Sequence, residues 1–213
     1  MKIKSAEFEI SAPDLRQCPR WALPEFAFIG RSNVGKSSLI NLLAERRDLA
    51  KVSDKPGKTQ LINFFVVNGN WSLVDLPGYG YSNVGKQRTL EFNDAVAGFL
   101  TGRRNLRRTF VLIDSRLEAQ AIDIEFLQWM EAESVEYSLI FTKIDKQSAS
   151  KGVSNIEAYK GAMAGWRTDL PEIYVSSSKT RDGRKDILGC IERILARRDR
   201  IDTPLPPGGP AAG

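Results

Sequence analysis

Glycine, lysine and serine stand at the spacing that holds a phosphate in Gly30-Arg31-Ser32-Asn33-Val34-Gly35-Lys36-Ser37-Ser38, a run that satisfies Gly-x4-Gly-Lys-Ser. The glycines let the main chain wrap so that several N–H groups converge on phosphate oxygens. The positive end of the helix expected to follow helps to hold the charge. There Lys36 would reach the β- and γ-phosphates and Ser37 would ligate Mg2+. A second group completes such a site. Asp75, in Asp75-Leu76-Pro77-Gly78, can hold the metal through water, and the Gly78 N–H can meet a γ-phosphate. Thr59, among Gly57, Lys58, Gln60 and Leu61, would close the Mg2+ shell and sense the γ-phosphate. Lys36, Thr59 and Gly78 are therefore the residues expected to act on the reacting phosphate, and Ser37, Thr59 and Asp75 those expected to hold the metal.

A third group reads a base. In Thr142-Lys143-Ile144-Asp145 the Asp145 carboxylate can accept parallel hydrogen bonds from guanine N1–H and N2–H2. Adenine presents no such donor pair, and leaving buried groups unpaired is costly, so the contact selects GTP or GDP over ATP. Lys143 would lay its methylene stem along the ring. Ser176-Ser177-Ser178 follows the next strand, where main-chain N–H groups can bond guanine O6.

Other chemistry is excluded. The chain has no histidine, which removes Ser-His-Asp and Cys-His nucleophiles, histidine metal ligation and imidazole base chemistry. Any reaction must rest on positioning, a metal ion and electrostatics. Cys18 and Cys190 are far apart and are read as buried thiols. Lys and Arg number 31 against 26 Asp and Glu, a net charge of +5. The excess gathers at Arg103, Arg104, Arg107 and Arg108 and at Arg193, Arg197, Arg198 and Arg200, which suits a polyanionic partner. No apolar run reaches the roughly 18 residues of a membrane span, and the N-terminus does not resemble a targeting signal, so no membrane association and a cytoplasmic location are expected.

The elements that must position these residues follow from periodicity. After a short alternating segment, Ile3 to Ile10, and a proline-punctuated approach, Glu25 to Ile29 reads as a strand. A helix from Lys36 carries Leu39, Ile40, Leu42 and Leu43. Residues 47 to 60 read as a long loop. Leu61 to Val67 and Trp71 to Asp75 form a hairpin about Asn68-Gly69-Asn70. Pro77 to Gly85 reads as a glycine-rich loop before a helix with Phe92, Val96 and Phe99. Strands at Thr109 to Ile113, Tyr137 to Phe141 and Glu172 to Val175 then alternate with helices marked by Ile122, Phe126 and Trp129, by Ile156 to Trp166, and by Ile187, Ile191 and Ile194. Such alternation predicts an α/β fold, a mostly parallel twisted sheet with one antiparallel hairpin strand and helices on both faces. Its ligands bind at the carboxyl ends of the strands. Residues 1–24 are expected as an extension packed on the domain, 25–198 as the nucleotide-binding domain, and 199–213 as a disordered Pro/Gly tail.

The ordered set from Gly30 to Ser178 matches the five motifs of translation-factor-class GTPases. Gly-Arg-Ser-Asn-Val-Gly-Lys-Ser-Ser, Pro56-Gly-Lys-Thr-Gln60 and Asp75-Leu-Pro-Gly-Tyr-Gly-Tyr81 closely resemble the EngB-type (YsxC-like) bacterial ribosome-biogenesis GTPases, over roughly residues 20 to 197. The resemblance implies a three-layer P-loop GTPase fold and a small monomeric switch that assists large ribosomal subunit assembly and is associated with cell division and septation. Its partners would be ribosomal RNA or protein, met through the basic clusters. Tyr79 stands where many small GTPases place a water-orienting glutamine, which implies slow intrinsic hydrolysis. Asn33 stands where some relatives help to bind K+. Two other readings remain open: a GTP-binding module that acts on division proteins with little hydrolysis, and a small-molecule phosphotransferase.

Overall fold

Strands whose side chains are apolar on both faces must be covered on both faces, and the middle of this chain supplies several. The computed structural model describes residues 1–50, 61–84, 87–91 and 94–201. In chain order its elements are β1 (Ala6–Ala12), β2 (Glu25–Gly30), α1 (Lys36–Ala44), β3 (Ile62–Val67), β4 (Trp71–Asp75), β5 (Gly80–Val84), β6 (Gln87–Glu91), α2 (Asp94–Gly102), β7 (Leu106–Asp114), α3 (Ala121–Ala132), β8 (Tyr137–Thr142), α4 (Ala149–Ala164), β9 (Ile173–Val175) and α5 (Arg184–Ile201).

Seven strands make one sheet in the order β1-β3-β4-β2-β7-β8-β9. Only β3 runs against the rest: it pairs antiparallel with β1 and β4, and every other pairing in the sheet is parallel. The β3–β4 hairpin turns through Asn68 and Gly69, both at positive φ (51° and 69°), as a tight turn matched to strand twist requires. All of β2, β4 and β8 is buried, and alternate residues serve opposite layers. Ala27, Ile29, Val111 and Ile113 pack with Phe99 of α2, Phe126 of α3 and Tyr159 of α4. Phe26, Phe28, Phe110 and Leu112 pack with Leu39 and Leu43 of α1 and Ile187 and Ile191 of α5. The three-layer α/β arrangement expected from the alternation of elements is the one observed.

Four local differences have physical causes. The N-terminal segment is a strand of the main sheet, Ala6 pairing with Val67 and Ala12 with Ile62. Within the stretch expected as a glycine-rich loop, Gly80–Val84 instead pairs with Gln87–Glu91 in a separate antiparallel ribbon; Gly80-Tyr81-Ser82-Asn83-Val84 carries no alternating apolar pattern to mark a strand. β7 starts at Leu106, three residues before its apolar run, because Arg107 and Arg108 lie in it half-buried. α4 starts at Ala149, where Ser148 accepts a hydrogen bond from the Lys151 N–H at 3.4 Å, a capping signal that the polar first half of the helix concealed. Phe92 and residues 202–213 of the expected tail lie outside the described residues, and α5 runs on to Ile201. Cys18 and Cys190 are free and buried.

The basic cluster after α2 is not a uniform patch. Arg103 donates from Nε to Glu25 Oε2 at 2.8 Å, from an η nitrogen to Oε1 at 2.6 Å and to the Pro19 carbonyl at 2.8 Å. Glu25 is fully buried and also accepts from Trp21 Nε1 at 2.7 Å. The guanidinium lies 5.8 Å from the Phe64 ring centroid, within cation–π range. Arg108 pairs with Glu136 and donates to the Tyr137 carbonyl. Arg103 is thus a structural residue that pins the approach segment to β2. Arg103→Ala strands a buried carboxylate and should cost about 3–5 kcal/mol in urea unfolding. Arg104→Ala, at an exposed position, should stay within about 0.5 kcal/mol. Equal losses for the two would show that the pair does not pin the segment.

Candidate functional site

The phosphate-type loop spans the five residues between β2 and α1. Gly35 takes φ 104° at the start of α1, a conformation that glycine adopts without strain, and the Leu39 N–H donates to the Gly35 carbonyl at 2.9 Å. Asn33 is also at positive φ, 61°. Beside this loop comes the end of β4. Phe28 and Asp75 are register partners, and the Leu76 N–H donates to the Phe28 carbonyl at 3.0 Å. Lys36 Nζ donates to Asp75 Oδ1, with the two side chains 11% and 6% exposed. A Cβ on Gly78 would stand 2.5 Å from the Gly30 carbonyl oxygen, so only glycine lets the two loops pass this closely. Lys36, Ser37, Asp75 and Gly78 are thereby gathered at the carboxyl ends of β2 and β4.

A second set of contacts ties this loop to the end of β8. Thr142 Oγ1 lies 2.6 Å from the Val34 carbonyl and 3.2 Å from that of Ile113. Lys143 Nζ donates to the Asn33 carbonyl at 2.5 Å and to Asp114 Oδ2 at 2.8 Å. Lys143 holds φ 61°, a left-handed conformation that costs a non-glycine residue about 1–3 kcal/mol and persists only where the surroundings over-determine it. Those two bonds over-determine it here. Asp114 also accepts from Arg116 Nε at 2.9 Å and from an Arg116 η nitrogen at 2.7 Å. Burial would raise the Asp114 carboxyl, but the bonds from Arg116 and Lys143 hold it down at about 2. It is charged at neutral pH and keeps Lys143 drawn in.

Beyond Lys143 a pocket of about 170 Å³ opens, bounded by Gly35, Leu39, Lys143, Asp145, Ser176 and Lys179 among others. Asp145 Oδ1 accepts from Ser177 Oγ at 2.6 Å, and this bond lowers the carboxyl below its ordinary value. Ser177 Oγ in turn accepts from the N–H groups of Lys179 and Thr180 at 3.2 and 3.1 Å. Asp145 Oδ2 is buried and has no hydrogen-bond partner. A buried carboxylate oxygen without a donor is costly within a protein, and here it lies at the wall of a pocket. The Ser176 N–H is used by the Phe141 carbonyl at 2.7 Å, and its own carbonyl accepts from the Ile144 N–H.

Anion-binding main chain and an ammonium group at one end, with an unpaired carboxylate oxygen at the other, suit a phosphorylated heterocycle that offers adjacent N–H donors. Among the sequence-predicted residues, Gly30 to Ser38, Asp75, Gly78, Thr142 to Asp145 and Ser176 to Ser178 are brought to this one region. Leu76 does not: it is fully buried in the core. Leu61 is exposed, just before β3, and Gly57, Lys58, Thr59 and Gln60 lie outside the described residues. Tyr79 faces the core, 2% exposed. Asp114 and Arg116 were missed; the signal was an acid directly after the continuous apolar run Thr109 to Ile113, at a strand's carboxyl end. In the basic clusters, Arg103 and Arg108 are engaged as above and Arg193 pairs with Glu172 at 2.8 Å. Arg104 and Arg197 are exposed.

Comparison with known proteins agrees with this geometry. A family profile described as 50S ribosome-binding GTPase matches residues 25–143. A relative named "Probable GTP-binding protein EngB" from Christiangramia forsetii is 50% identical over 194 residues, which cover 91% of this chain and 98% of the relative. One of the same name from Porphyromonas gingivalis is 47% identical over 91% of this chain and 96% of its own. Among solved structures, a "probable GTP-binding protein engB" superimposes with a TM-score of 0.61 at 20% identity, over 81% of this chain and 99% of the other. The G domain of the T. maritima FeoB iron transporter does so with a TM-score of 0.51 at 22% identity, over 81% of this chain and 99% of the other. At these identities the structural matches speak for the fold alone. No helix among the described residues is long and apolar enough to cross a membrane.

Proposed function

This chain belongs to the EngB family of GTP-binding proteins, which are P-loop GTPases, and we propose that it is a GTP-driven switch that assists assembly of the large ribosomal subunit in the cytoplasm, with normal division and septation depending on it. The observation that carries the nucleotide assignment is the Asp145 carboxylate: one oxygen is fixed by Ser177, and the other is buried and unpaired at the pocket wall. Guanine N1–H and N2–H2 would supply the donors that this carboxylate lacks, with the Lys143 stem along the ring and the Ser178 main-chain N–H near O6, since those of Ser176 and Ser177 already donate to the Phe141 and Asp182 carbonyls. The N–H groups of Gly30 to Ser38 and the Lys36 ammonium would hold the phosphates. The residues fit Mg2+: Asp75 already holds a cationic partner, the Lys36 ammonium, and Ser37 stands in the first turn of α1. Ser37, Asp75 and Thr59 would hold the ion, which neutralises charge developing on the β- and γ-phosphates.

Nucleotide binding would therefore exchange partners: Lys36 leaves Asp75 for phosphate, and Asp75 turns to the metal. Gly78, packed on the loop, would offer its N–H to the γ-phosphate. Gly78 and Thr59 are the residues that distinguish GTP from GDP, and they place the switch in the segments about residues 50–60 and 76–88. Hydrolysis by the isolated protein is slow on this reading, because Tyr79 turns its ring into the core and has no amide with which to orient water. Asn33, exposed at the crest of the loop, would help to hold a K+ ion that supplies positive charge. The ribosomal surface would be met through Arg104 and Arg197, since Arg103 is needed inside the fold. A family described as 50S ribosome-binding supports that partner.

Asp145→Asn exchanges an acceptor for a donor and should move preference from GTP towards xanthosine triphosphate by at least about tenfold; competition binding with both nucleotides measures it, and an unmoved ratio refutes the base assignment. Pelleting with large ribosomal subunits should be stronger in a non-hydrolysed GTP analogue than in GDP, and equal pelleting in the two states removes the switch. Steady-state GTP turnover should be faster in K+ than in Na+ buffer, and equal rates, with and without particles, dispose of the role given to Asn33.

A further inference from the structure

Tyr79 is fastened as well as buried. Its ring stacks on Phe126 of α3 at 4.1 Å between centroids and 16° between planes, and Phe126 stacks in turn on Trp129 at 5.9 Å. Its hydroxyl donates to Asp123 Oδ1 at 2.8 Å, and the Tyr159 hydroxyl of α4 donates to Asp123 Oδ2 at 2.7 Å. The Tyr159 oxygen accepts from the Gln120 N–H at 3.3 Å. Asp123 is 3% exposed. Burial raises its carboxyl, while the two phenols and the positive charge of Arg31, in the phosphate loop, act the other way.

Packing alone does not call for this arrangement. An apolar residue at 123 with Phe at 79 would fill the same space with no polar group to satisfy, and buried charge is weak as a source of stability. What a satisfied buried network does supply is a single position for each member. The member in question directly follows Gly78, whose Cα is already packed against the Gly30 carbonyl. Fixing the Tyr79 oxygen and ring fixes one side of Gly78, and the contact with the Gly30 carbonyl confines the other, where the Pro77–Gly78 peptide carries the proposed γ-phosphate donor, the Gly78 N–H.

We infer that Asp123 is a positioning residue for the GTPase reaction: acting through Tyr79, and braced by Tyr159, it holds Gly78 against the phosphate loop so that affinity for GTP relative to GDP depends on a buried carboxylate in α3. The inference rests on the nucleotide reading above. It makes α3 and α4 the elements that feel the γ-phosphate state, because the carboxylate is shared between a hydroxyl from the Gly78 segment and one from α4.

Tyr79→Phe keeps the stack on Phe126 and removes one donor to Asp123; Tyr159→Phe removes the other and leaves residue 79 unaltered. Affinities of the full chain for a non-hydrolysed GTP analogue and for GDP are measured by displacement of a fluorescent nucleotide, beside thermal unfolding. For Tyr79→Phe the GTP-analogue affinity should fall about tenfold, as for loss of a hydrogen bond to a charged group, while GDP affinity holds within about twofold. Tyr159→Phe should shift the ratio in the same direction by less. Variants that unfold at lower temperature but keep the wild-type ratio of GTP to GDP affinity assign the network to stability alone and overturn the inference. Wild-type protein that bound neither nucleotide would overturn the nucleotide reading instead, and this inference with it.

Discussion

Two side chains at the end of one strand bind the halves of the site together. Thr142 meets the Val34 carbonyl and Lys143 the Asn33 carbonyl, so the P-loop and the end of β8 are tied directly to each other. The loop's carbonyls point back into the protein, and a carbonyl left without a donor there would be costly. Supplying donors from β8 leaves the N–H side of the loop turned outward for an anion. The same lysine is drawn in by Asp114, which Arg116 holds from its far side. Phosphate geometry, base selectivity and the left-handed turn at Lys143 thus depend on one short chain of donors and acceptors.

Charge is distributed with the same economy. Two lysines at the site are each paired with an acid: Lys36 with Asp75, Lys143 with Asp114. Away from the site, Arg103 is spent on Glu25 beneath the approach segment. The count of 31 Lys and Arg therefore overstates the positive groups open to a polyanion. Among the described side chains of the two clusters, Arg104 and Arg197 are exposed with no ion pair.

Tyr79 separates two questions that a sequence motif merges. Lack of an amide after Gly78 says what this residue cannot do to water. Its place beneath α3, stacked on Phe126 and bonded to Asp123, says what it does instead. The residue that follows Gly78 is anchored by aromatic packing and a buried carboxylate.

The order of elements, the P-loop and the placing of Thr142 to Asp145 at a strand end were legible in the sequence because each rests on local spacing: a glycine-lysine-serine run after an apolar strand, a Thr-Lys-x-Asp at the end of another, and continuous apolar runs at Thr109 to Ile113 and Tyr137 to Phe141 that only a sheet covered on both faces can bury. Local spacing does not report long-range partners. The strand of the N-terminal segment, the burial of Arg103 and the partners of Asp114 and Asp123 are set by groups 29 to 78 residues away in the chain, while the ribbon at Gly80–Val84 pairs locally but carries no alternating apolar pattern. An aspartate on a helix face or an arginine after a turn reads as solvated until its partner is known. Chain order determined which chemistry this protein carries; folding decided which charges were left free to perform it, because the energy of a buried charge depends on what stands within about 3 Å of it.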